Sequence, residues 1–270
     1  MPEPPTYAEW LTGVPTLLSE TAASWGLTLG AAYPPGACSH VVRAELPDGT
    51  PAALKLAWPH RESAQEADAL ERWDGDGAVR LLARDDSRNA MLLERCEPGA
   101  FLATSDRGLD VLIGLLPRLW KSGAGFATLA DEAALWSETI ARDESDETLR
   151  DAALHYLDFL PSTQGEQVLL HMDLHGGNVL AAQREPWLAI DPKPLAGERE
   201  LALAPIVRSM ELGHSKRDVL YRLDRLTAEL GLDRERALGW TVAQTVAWSG
   251  GDNRYEPHLE IVDWLLEAAA

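Results

Sequence analysis

The sequence is short of cysteine, of positive charge and of long apolar runs. Its 270 residues include two cysteines, Cys38 and Cys96, which are too few for a disulfide framework and favour a reducing compartment. No stretch reaches the roughly 20 apolar residues that span a bilayer. The opening MPEPPTYAEW has neither a basic start nor an apolar run, so we expect no signal peptide. We therefore predict a soluble, cytoplasmic protein that binds no membrane.

Acidic residues outnumber basic ones, with 43 Asp and Glu against 24 Lys and Arg and a formal net charge of -19. Nucleic-acid-binding proteins present a basic face to phosphate groups, so we expect no nucleic-acid partner. An acidic surface can serve solubility alone, or it can attract a cationic small molecule. Composition leaves both interpretations open. The sequence contains no internal repeat, and a monomer is the default expectation.

The spacing of apolar residues divides the chain into a β-rich part over 1–97 and a mostly helical part over 98–270. In the first part a helix over 6–26 precedes three antiparallel strands, a second helix that ends at Gly75, and two further strands. The second part is helical apart from one β-hairpin. We predict an α+β fold. The strands are predicted over 27–33, 40–46, 51–57, 79–85 and 90–99, and the later helices over 106–121, 131–143, 146–160, 202–212, 215–230, 233–248 and 257–269.

Two histidines, an aspartate and an asparagine lie close together in LLHMDLHGGNVLAA, residues 169–182. The following pattern predicts a hairpin with its turn at 184–185. That register places Asn178 opposite Asp191, with Cβ atoms about 4.5–5.5 Å apart. An amide oxygen and a carboxylate at that distance suit Mg²⁺. Asp173, in the loop before the hairpin, could then accept a proton from a hydroxyl that attacks a metal-bound triphosphate.

His171 has two interpretations. In a phosphoryl-transfer arrangement it holds the loop in place. In the alternative, His171, Asp173 and His175 are ligands of a zinc-type site, because alternate residues of a strand point the same way. The alternative leaves Asn178 unexplained, and the other histidines are scattered along the chain. The sequence favours phosphoryl transfer.

A lone lysine, Lys55, lies in the apolar strand AALKLAW. A buried charge needs an anionic partner, unless the lysine is on an edge strand and its ammonium group reaches water. The following helix offers Glu66 as partner, with Glu62 as the rival. The turn PPGACSH could bring the backbone N–H groups of Gly36 and Ser39 close to phosphate oxygens.

A strand that connects the two parts, LLERCEPG, would offer main-chain groups to an adenine edge. Glu94 and Cys96 are the candidates, through main-chain atoms only.

Together these features resemble the aminoglycoside phosphotransferase-type kinases, a branch of the protein-kinase-like fold. The H-x-D-x-H-x-G-N loop of that family matches residues 171–178. The sequence Asp191-Pro192-Lys193-Pro194 matches the D-P-K-P of the streptomycin 6-kinase and hydroxyurea phosphotransferase branch. The resemblance covers most of the chain. It implies a two-lobed fold with a nucleotide-binding N-lobe, a C-lobe that holds the acceptor, and phosphate transfer from ATP with Mg²⁺ to a hydroxyl of an aminoglycoside or related amino sugar.

The resemblance also implies roles for individual residues. For a kinase with a cationic acceptor, acidic side chains of the helical part are candidates to attract it: Asp143, Glu144, Asp146 and Asp263, each of which also fits a solvated helix face. The reactive set is Asp173 as catalytic base in a loop held by His171, Asn178 and Asp191 as Mg²⁺ ligands, Lys55 on the phosphates with Glu66 as its partner, and Lys193 on a phosphate or on the loop.

The chain departs from the family pattern in two segments. Met172 stands where the loop usually has glycine, and residues 197–204, GERELALA, replace the usual G-D-P-x-x-D-L-A, so that Ala202 stands at the second aspartate position. The departures around Ala202 suggest the alternative function, a catalytically weak or inactive nucleotide-binding protein of the same fold.

Overall fold

The computed structural model describes residues 6–34, 36, 38–143 and 146–269. The chain forms two compact units. The first comprises Met1–Ala100 with Leu180–Asp191, and the second comprises Phe101–Val179 with Pro192–Ala270. The hairpin segment Leu180–Asp191 thus groups with the first unit. None of the helices in the described ranges is both long enough and apolar enough to cross a membrane.

The first unit is built on a five-stranded antiparallel sheet with strand order β1-β2-β3-β5-β4. Before it runs helix α1, which starts at a capping box between Thr6 and Glu9 and ends at Gly26 in the left-handed conformation, with φ 67°. The elements of this unit are α1 (Tyr7–Trp25), β1 (Thr28–Ala32), β2 (Ser39–Glu45), β3 (Pro51–Ala57), α2 (Glu66–Trp73), β4 (Leu81–Asp85) and β5 (Ala90–Glu94).

Strand β3 is the centre of this sheet. It pairs with β2 on one side and with β5 on the other, so that Lys55 lies between Val41 and Met91 in register. Helix α2 ends one residue earlier than predicted, because Asp74 adopts the left-handed conformation that the sequence assigned to Gly75. The sheet and α2 together position the charged groups of this unit.

The second unit is mostly helical, with α8 at its centre. Every residue of α8 from Ala237 to Val246 is buried, because α8 packs against α5, α9 and other helices of the unit. A helix that is apolar on most faces is typical of such a central position. The helices are α3 (Gly108–Leu119), α4 (Leu129–Ala141), α5 (Glu147–Phe159), α6 (Ala204–Val207), α7 (Lys216–Leu230), α8 (Arg234–Ser249) and α9 (Glu256–Ala269).

The described residues also form two short two-stranded sheets. The predicted hairpin forms from β7 (Val179–Ala181) and β8 (Trp187–Ala189), and a second antiparallel pair joins β6 (Gln167–Leu170) to β9 (Leu195–Glu198). The sequence did not predict the second pair. The helix predicted over 202–212 is wrong, because this stretch forms two 3₁₀ turns on either side of the four-residue α6.

Candidate functional site

In the first unit, a buried lysine lies between two carboxylates. Lys55 on β3 is 5% exposed, and its Nζ lies 2.6 Å from Glu66 Oε1 on α2. Lys55 Nζ also donates to Asp191 Oδ1. The central position of β3 rules out the edge-strand interpretation, and the structure pairs Lys55 with Glu66, whereas Glu62 lies in the 3₁₀ turn before α2.

Electrostatics keeps this lysine charged. Burial alone lowers the pKa of Lys55, but the negative charges of Glu66 and Asp191 outweigh it and raise that pKa above its ordinary value. Burial raises the pKa of Glu66, and the charge of Lys55 opposes that rise. The result is a fixed ammonium group that an anionic ligand could use, because phosphate oxygens attract such a group strongly.

Asp191 differs from Glu66 in its exposure. Its side chain is 47% exposed while it contacts Lys55, and its backbone is left-handed, with φ 57°. Aspartate tolerates this conformation better than most residues. An ionised carboxylate has about four acceptor positions, so Asp191 can contact Lys55 and still offer oxygen to a cation.

In the second unit, Asp173 and Asn178 are in direct contact. Asn178 Nδ2 donates to the main-chain oxygen of Asp173 at 2.8 Å and to Asp173 Oδ2 at 3.2 Å. Both partners are acceptors, so the amide nitrogen must face them and Oδ1 of Asn178 faces the other way. Lys193 Nζ lies 3.1 Å from Asp173 Oδ2. The structure therefore places Lys193 on the loop.

The main chain around Asp173 is held from several sides. The carbonyl oxygen of His171, which is 3% exposed, accepts the N–H groups of Asp173 and Lys193 at 2.9 Å each. The carbonyl oxygen of Met172 accepts from Gln244 Nε2 at 3.4 Å. Ala202 is buried and has no carboxylate to offer the loop, which is held by the contacts of His171 and Gln244.

Met172 has a backbone conformation that explains the usual glycine at its position. Its φ is 62°, in the left-handed region where a side chain costs about 1–2 kcal/mol. Glycine adopts that conformation without the penalty. Here the side chain of Met172 is buried, so apolar burial offsets part of the backbone strain.

His175 pairs with Glu211. The N–H of Gly177 donates to His175 Nδ1 at 3.1 Å, and the same nitrogen lies 3.1 Å from Glu211 Oε1. Burial lowers the pKa of His175, but Glu211 and Asp173 outweigh this effect and raise it. Across the described part of the chain, no three His, Cys, Asp or Glu side chains are arranged to hold a metal ion, so the zinc-type alternative has no support.

The turn before β2 is only partly described. Gly36 is exposed, and its carbonyl oxygen accepts from Tyr7 Oη at 3.5 Å. Ser39 begins β2 opposite Ala57. Residues 35 and 37 lie outside the described ranges, so a phosphate-binding role for this turn stays a prediction.

The residues predicted to contact adenine, Glu94 and Cys96, lie at and just after the end of β5, and some polar groups of Glu94 already have hydrogen-bond partners. The N–H of Glu94 donates to Arg80 O at 2.9 Å, and its carboxylate accepts from Arg184 Nε at 2.9 Å. The Cys96 thiol is buried, and burial followed by the charge of Glu94 raises its pKa to about 12. Neither side chain offers reactivity, so a role through main-chain atoms stays a prediction for both.

Two of the candidate acceptor acids accept hydrogen bonds from the main chain. Asp143 accepts the N–H of Gly251 at 2.8 Å, and Asp146 caps α5 by accepting from Leu149 N at 3.1 Å. Burial and then the charge of Asp146 raise the pKa of Asp263. Glu144 lies outside the described residues.

The sequence interpretation did not identify three residues of the second unit around the Asp173 loop: Arg208, Gln244 and Trp248. Arg208 is buried, donates to Gln244 Oε1 at 3.0 Å and lies 4.8 Å from the centre of the Trp248 ring. Burial lowers the pKa of Arg208 to about 10, although the charge of Asp173 opposes the shift. Arg208 could have been identified from the sequence, because it is an arginine inside the apolar run LAPIVRSM and a cation there needs a specific environment.

Comparisons with known proteins identify the family to which the chain is similar. The family model described as aminoglycoside/hydroxyurea antibiotic resistance kinase matches residues 24–253. A streptomycin 6-kinase of Streptomyces glaucescens is 40% identical over 88% of this chain and 84% of its own length. A hydroxyurea phosphotransferase of Kitasatospora aureofaciens is 39% identical over 88% and 73%.

A solved structure carries the same fold at much lower identity. The choline kinase from Streptococcus pneumoniae superposes with a TM-score of 0.70 at 16% identity, covering 94% of this chain and 99% of that chain. Together with the five-stranded sheet and the helical second unit, this likeness confirms the α+β, protein-kinase-like fold.

Proposed function

Since the chain belongs to the aminoglycoside/hydroxyurea antibiotic resistance kinase family, we propose that it transfers the γ-phosphate of ATP to a hydroxyl of a streptomycin-like aminoglycoside or a related amino sugar. It is a phosphotransferase with an alcohol group as acceptor. The observation that carries the proposal is the contact of Asp173 with Asn178 in the second unit. The predicted cytoplasmic location fits a reaction that consumes ATP.

Asp173 is the proposed proton acceptor. As the acceptor oxygen forms its bond to the γ-phosphorus, the bond from that phosphorus to the β–γ bridging oxygen breaks, ADP leaves, and the hydroxyl proton passes to the carboxylate. Phosphoryl transfer needs little covalent chemistry from the protein, and catalysis is mainly positioning and charge neutralisation. The contacts of His171, Asn178 and Lys193 supply that positioning, because they fix the main chain and the carboxylate of Asp173.

Lys55 is the proposed phosphate-binding cation. Its ammonium group is buried and held by Glu66, so it is fixed in position before a nucleotide binds. A preorganised cation stabilises the charge of the phosphates more effectively than a mobile one, because little reorganisation accompanies the reaction.

Asn178 and Asp191 are the proposed ligands of Mg²⁺, and the chemistry of both side chains fits. Asn178 has its amide oxygen turned away from Asp173, and Asp191 keeps a half-exposed carboxylate. Both are hard oxygen donors of the kind that Mg²⁺ prefers. When bound, Mg²⁺ would neutralise charge on the phosphate oxygens.

The acceptor is proposed as cationic because of the chain's net charge of -19 and the names of its relatives. The identities of 40% and 39% to a streptomycin 6-kinase and to a hydroxyurea phosphotransferase do not separate the two acceptors. The inactive alternative rested on the Ala202 departure, and nothing in the geometry around Asp173 favours it.

The test is a panel of acceptors. The purified protein is incubated with ATP and Mg²⁺ and with streptomycin, other aminoglycosides, amino sugars or hydroxyurea, and ADP release and product mass are measured. Acceptor-dependent ADP release with a product heavier by one phosphate group is expected for an aminoglycoside. ADP release that no acceptor stimulates contradicts transfer, and stabilisation by ATP with no turnover on the whole panel favours the inactive alternative.

A further inference from the structure

The indole ring of Trp248, on α8, faces two cations, Lys193 and Arg208. Lys193 Nζ is 4.9 Å from the ring centre, and the guanidinium carbon of Arg208 is 4.8 Å from it. The same Lys193 Nζ contacts Asp173 Oδ2 at 3.1 Å. The ring and the carboxylate therefore share one ammonium group.

A lysine at this place needs an additional restraint. The main-chain N–H of Lys193 is fixed on His171 O at 2.9 Å, but the side chain is 30% exposed and has four rotatable carbon–carbon bonds. Water and other rotamers compete for such a group. The negative face of an indole ring attracts an ammonium group within about 6 Å, so Trp248 favours the rotamer that reaches Asp173.

Helix α8 also holds the other side of the loop. Gln244 lies one turn before Trp248, accepts from Arg208 at 3.0 Å and donates to Met172 O at 3.4 Å. Trp248 and Gln244 thus face the loop from the same side of α8, because residues four apart share a helix face. The helix sets the position of both cations relative to the loop.

The contacts select one oxygen of Asp173. Lys193 Nζ at 3.1 Å and Asn178 Nδ2 at 3.2 Å both approach Oδ2. A carboxylate oriented through Oδ2 directs Oδ1 away from these two donors, and Oδ1 is then the atom that receives the acceptor proton. Loss of the Lys193 contact would allow the carboxylate to rotate and would misplace Oδ1.

We propose that Trp248 is a positioning residue for phosphoryl transfer, which holds the ammonium group of Lys193 on Asp173 Oδ2 and so keeps Oδ1 directed at the acceptor hydroxyl. This inference rests on the proposed function. Trp248 then affects kcat through Lys193, and binding of the nucleotide depends on other residues.

The first test compares ring and non-ring substitutions. Trp248→Phe keeps an aromatic face, whereas Trp248→Leu and Trp248→Met fill the space without one. We expect the Leu and Met variants to lower kcat about tenfold, with KM for ATP within about twofold of wild type, and the Phe variant to keep most of the activity. The Met variant serves if the Leu variant fails to fold.

The second test is a double-mutant cycle with Lys193→Met. If Trp248 acts through Lys193, Trp248→Leu causes no further loss of kcat in the Lys193→Met background. Losses that multiply, or non-ring variants with wild-type kcat, overturn the inference while the proposed function stands. A wild-type protein that transfers phosphate to no acceptor overturns the proposed function and this inference together.

Discussion

Asn178 donates its side-chain N–H to the main-chain oxygen of Asp173 at 2.8 Å and to the Asp173 carboxylate at 3.2 Å. This contact ties the proposed proton acceptor to a proposed Mg²⁺ ligand within one compact unit. The amide nitrogen faces both oxygens of Asp173, so the amide oxygen is directed elsewhere. The two roles are therefore coupled, and a change at Asn178 is expected to affect both.

Replacing Asn178 tests the metal role. Asn178→Ala is expected to raise the Mg²⁺ concentration for half-maximal activity at least about tenfold, because a hard oxygen ligand is lost. It also removes both hydrogen bonds to Asp173, each worth about 1 kcal/mol. Activity is measured across a Mg²⁺ titration. Asn253→Ala, at an exposed position, is the matched control, and an unchanged Mg²⁺ requirement in Asn178→Ala would remove the residue from the metal site.

Lys55 is expected to serve both the fold and the nucleotide. Lys55→Met leaves the buried carboxylate of Glu66 without its cation, so the free energy of unfolding should fall by about 3–5 kcal/mol and ATP binding should weaken. Urea unfolding and ATP titration measure the two effects.

The double variant Lys55→Met/Glu66→Leu separates them. It removes the uncompensated charge, so it should recover most of the stability, because a buried ion pair can be replaced by apolar residues at little cost. ATP affinity should stay low. An affinity equal to that of wild type in the double variant would show that Lys55 does not bind the phosphates.

Glu198 is expected to stabilise the second unit rather than to take part in the reaction. It is 0% exposed, accepts from Arg236 Nη2 at 2.7 Å, from Gly165 N at 3.0 Å and from the indole N–H of Trp240. Glu198→Ala removes this acceptor from its donors, so the free energy of unfolding should fall by about 3 kcal/mol.

The control for Glu198 is an exposed glutamate in an ion pair. Glu138 contacts Arg142 at 3.5 Å on the surface of α4, and Glu138→Ala should cost less than about 0.5 kcal/mol. Denaturant midpoints of the two variants are compared with wild type. Equal small losses would show that the Glu198 contacts contribute little net stability.

The lowered pKa of His258 predicts that the stability of the protein depends on pH. Burial, and then the charges of Arg208 and the neighbouring histidines His214 and His175, lower its pKa from 6.5 to about 4, and its Nδ1 lies 2.9 Å from Ser249 Oγ. Between these two pH values the unfolded chain binds a proton that the folded chain does not. The stability that His258 contributes is therefore complete above about pH 6.5 and is lost as the pH falls toward 4.

The pH dependence is measured by urea unfolding at several pH values. Stability should rise with pH across this window in the wild-type protein, and the rise should be smaller in His258→Gln, which cannot take up the proton. Parallel curves for the two proteins would contradict the assignment.

Local patterns predicted most of the elements. Helix α1 and strand β3 follow the predicted spans closely, because capping residues, turn dipeptides and apolar spacing are local signals. The pairing of β6 with β9 was missed because the two strands lie far apart in sequence and depend on a non-local contact. The stretch 202–212 has apolar spacing typical of a helix, but tertiary packing breaks it into short turns.

The residues of the candidate site likewise include some that local sequence patterns indicated and others that depend on non-local contacts. The sequence indicated Lys55, Asp173, Asn178 and Asp191 because each is a polar residue inside a recognisable strand or loop pattern. It gave no role to Trp248 or Gln244, because their importance depends on which residues α8 contacts in the folded chain. The opposition of Asn178 to Asp191 stays a prediction.

The most direct test of the account is the activity of Asp173→Asn. The substitution keeps the shape of the side chain but removes its capacity to accept the proton, so kcat for the acceptor identified in the panel should fall by at least about 100-fold. The dissociation constant for ATP, measured by calorimetry with the same protein, should stay within about twofold of wild type, since Lys55 and Glu66 are unchanged. Turnover within a few-fold of wild type would contradict Asp173 as the proton acceptor and the mechanism built on it.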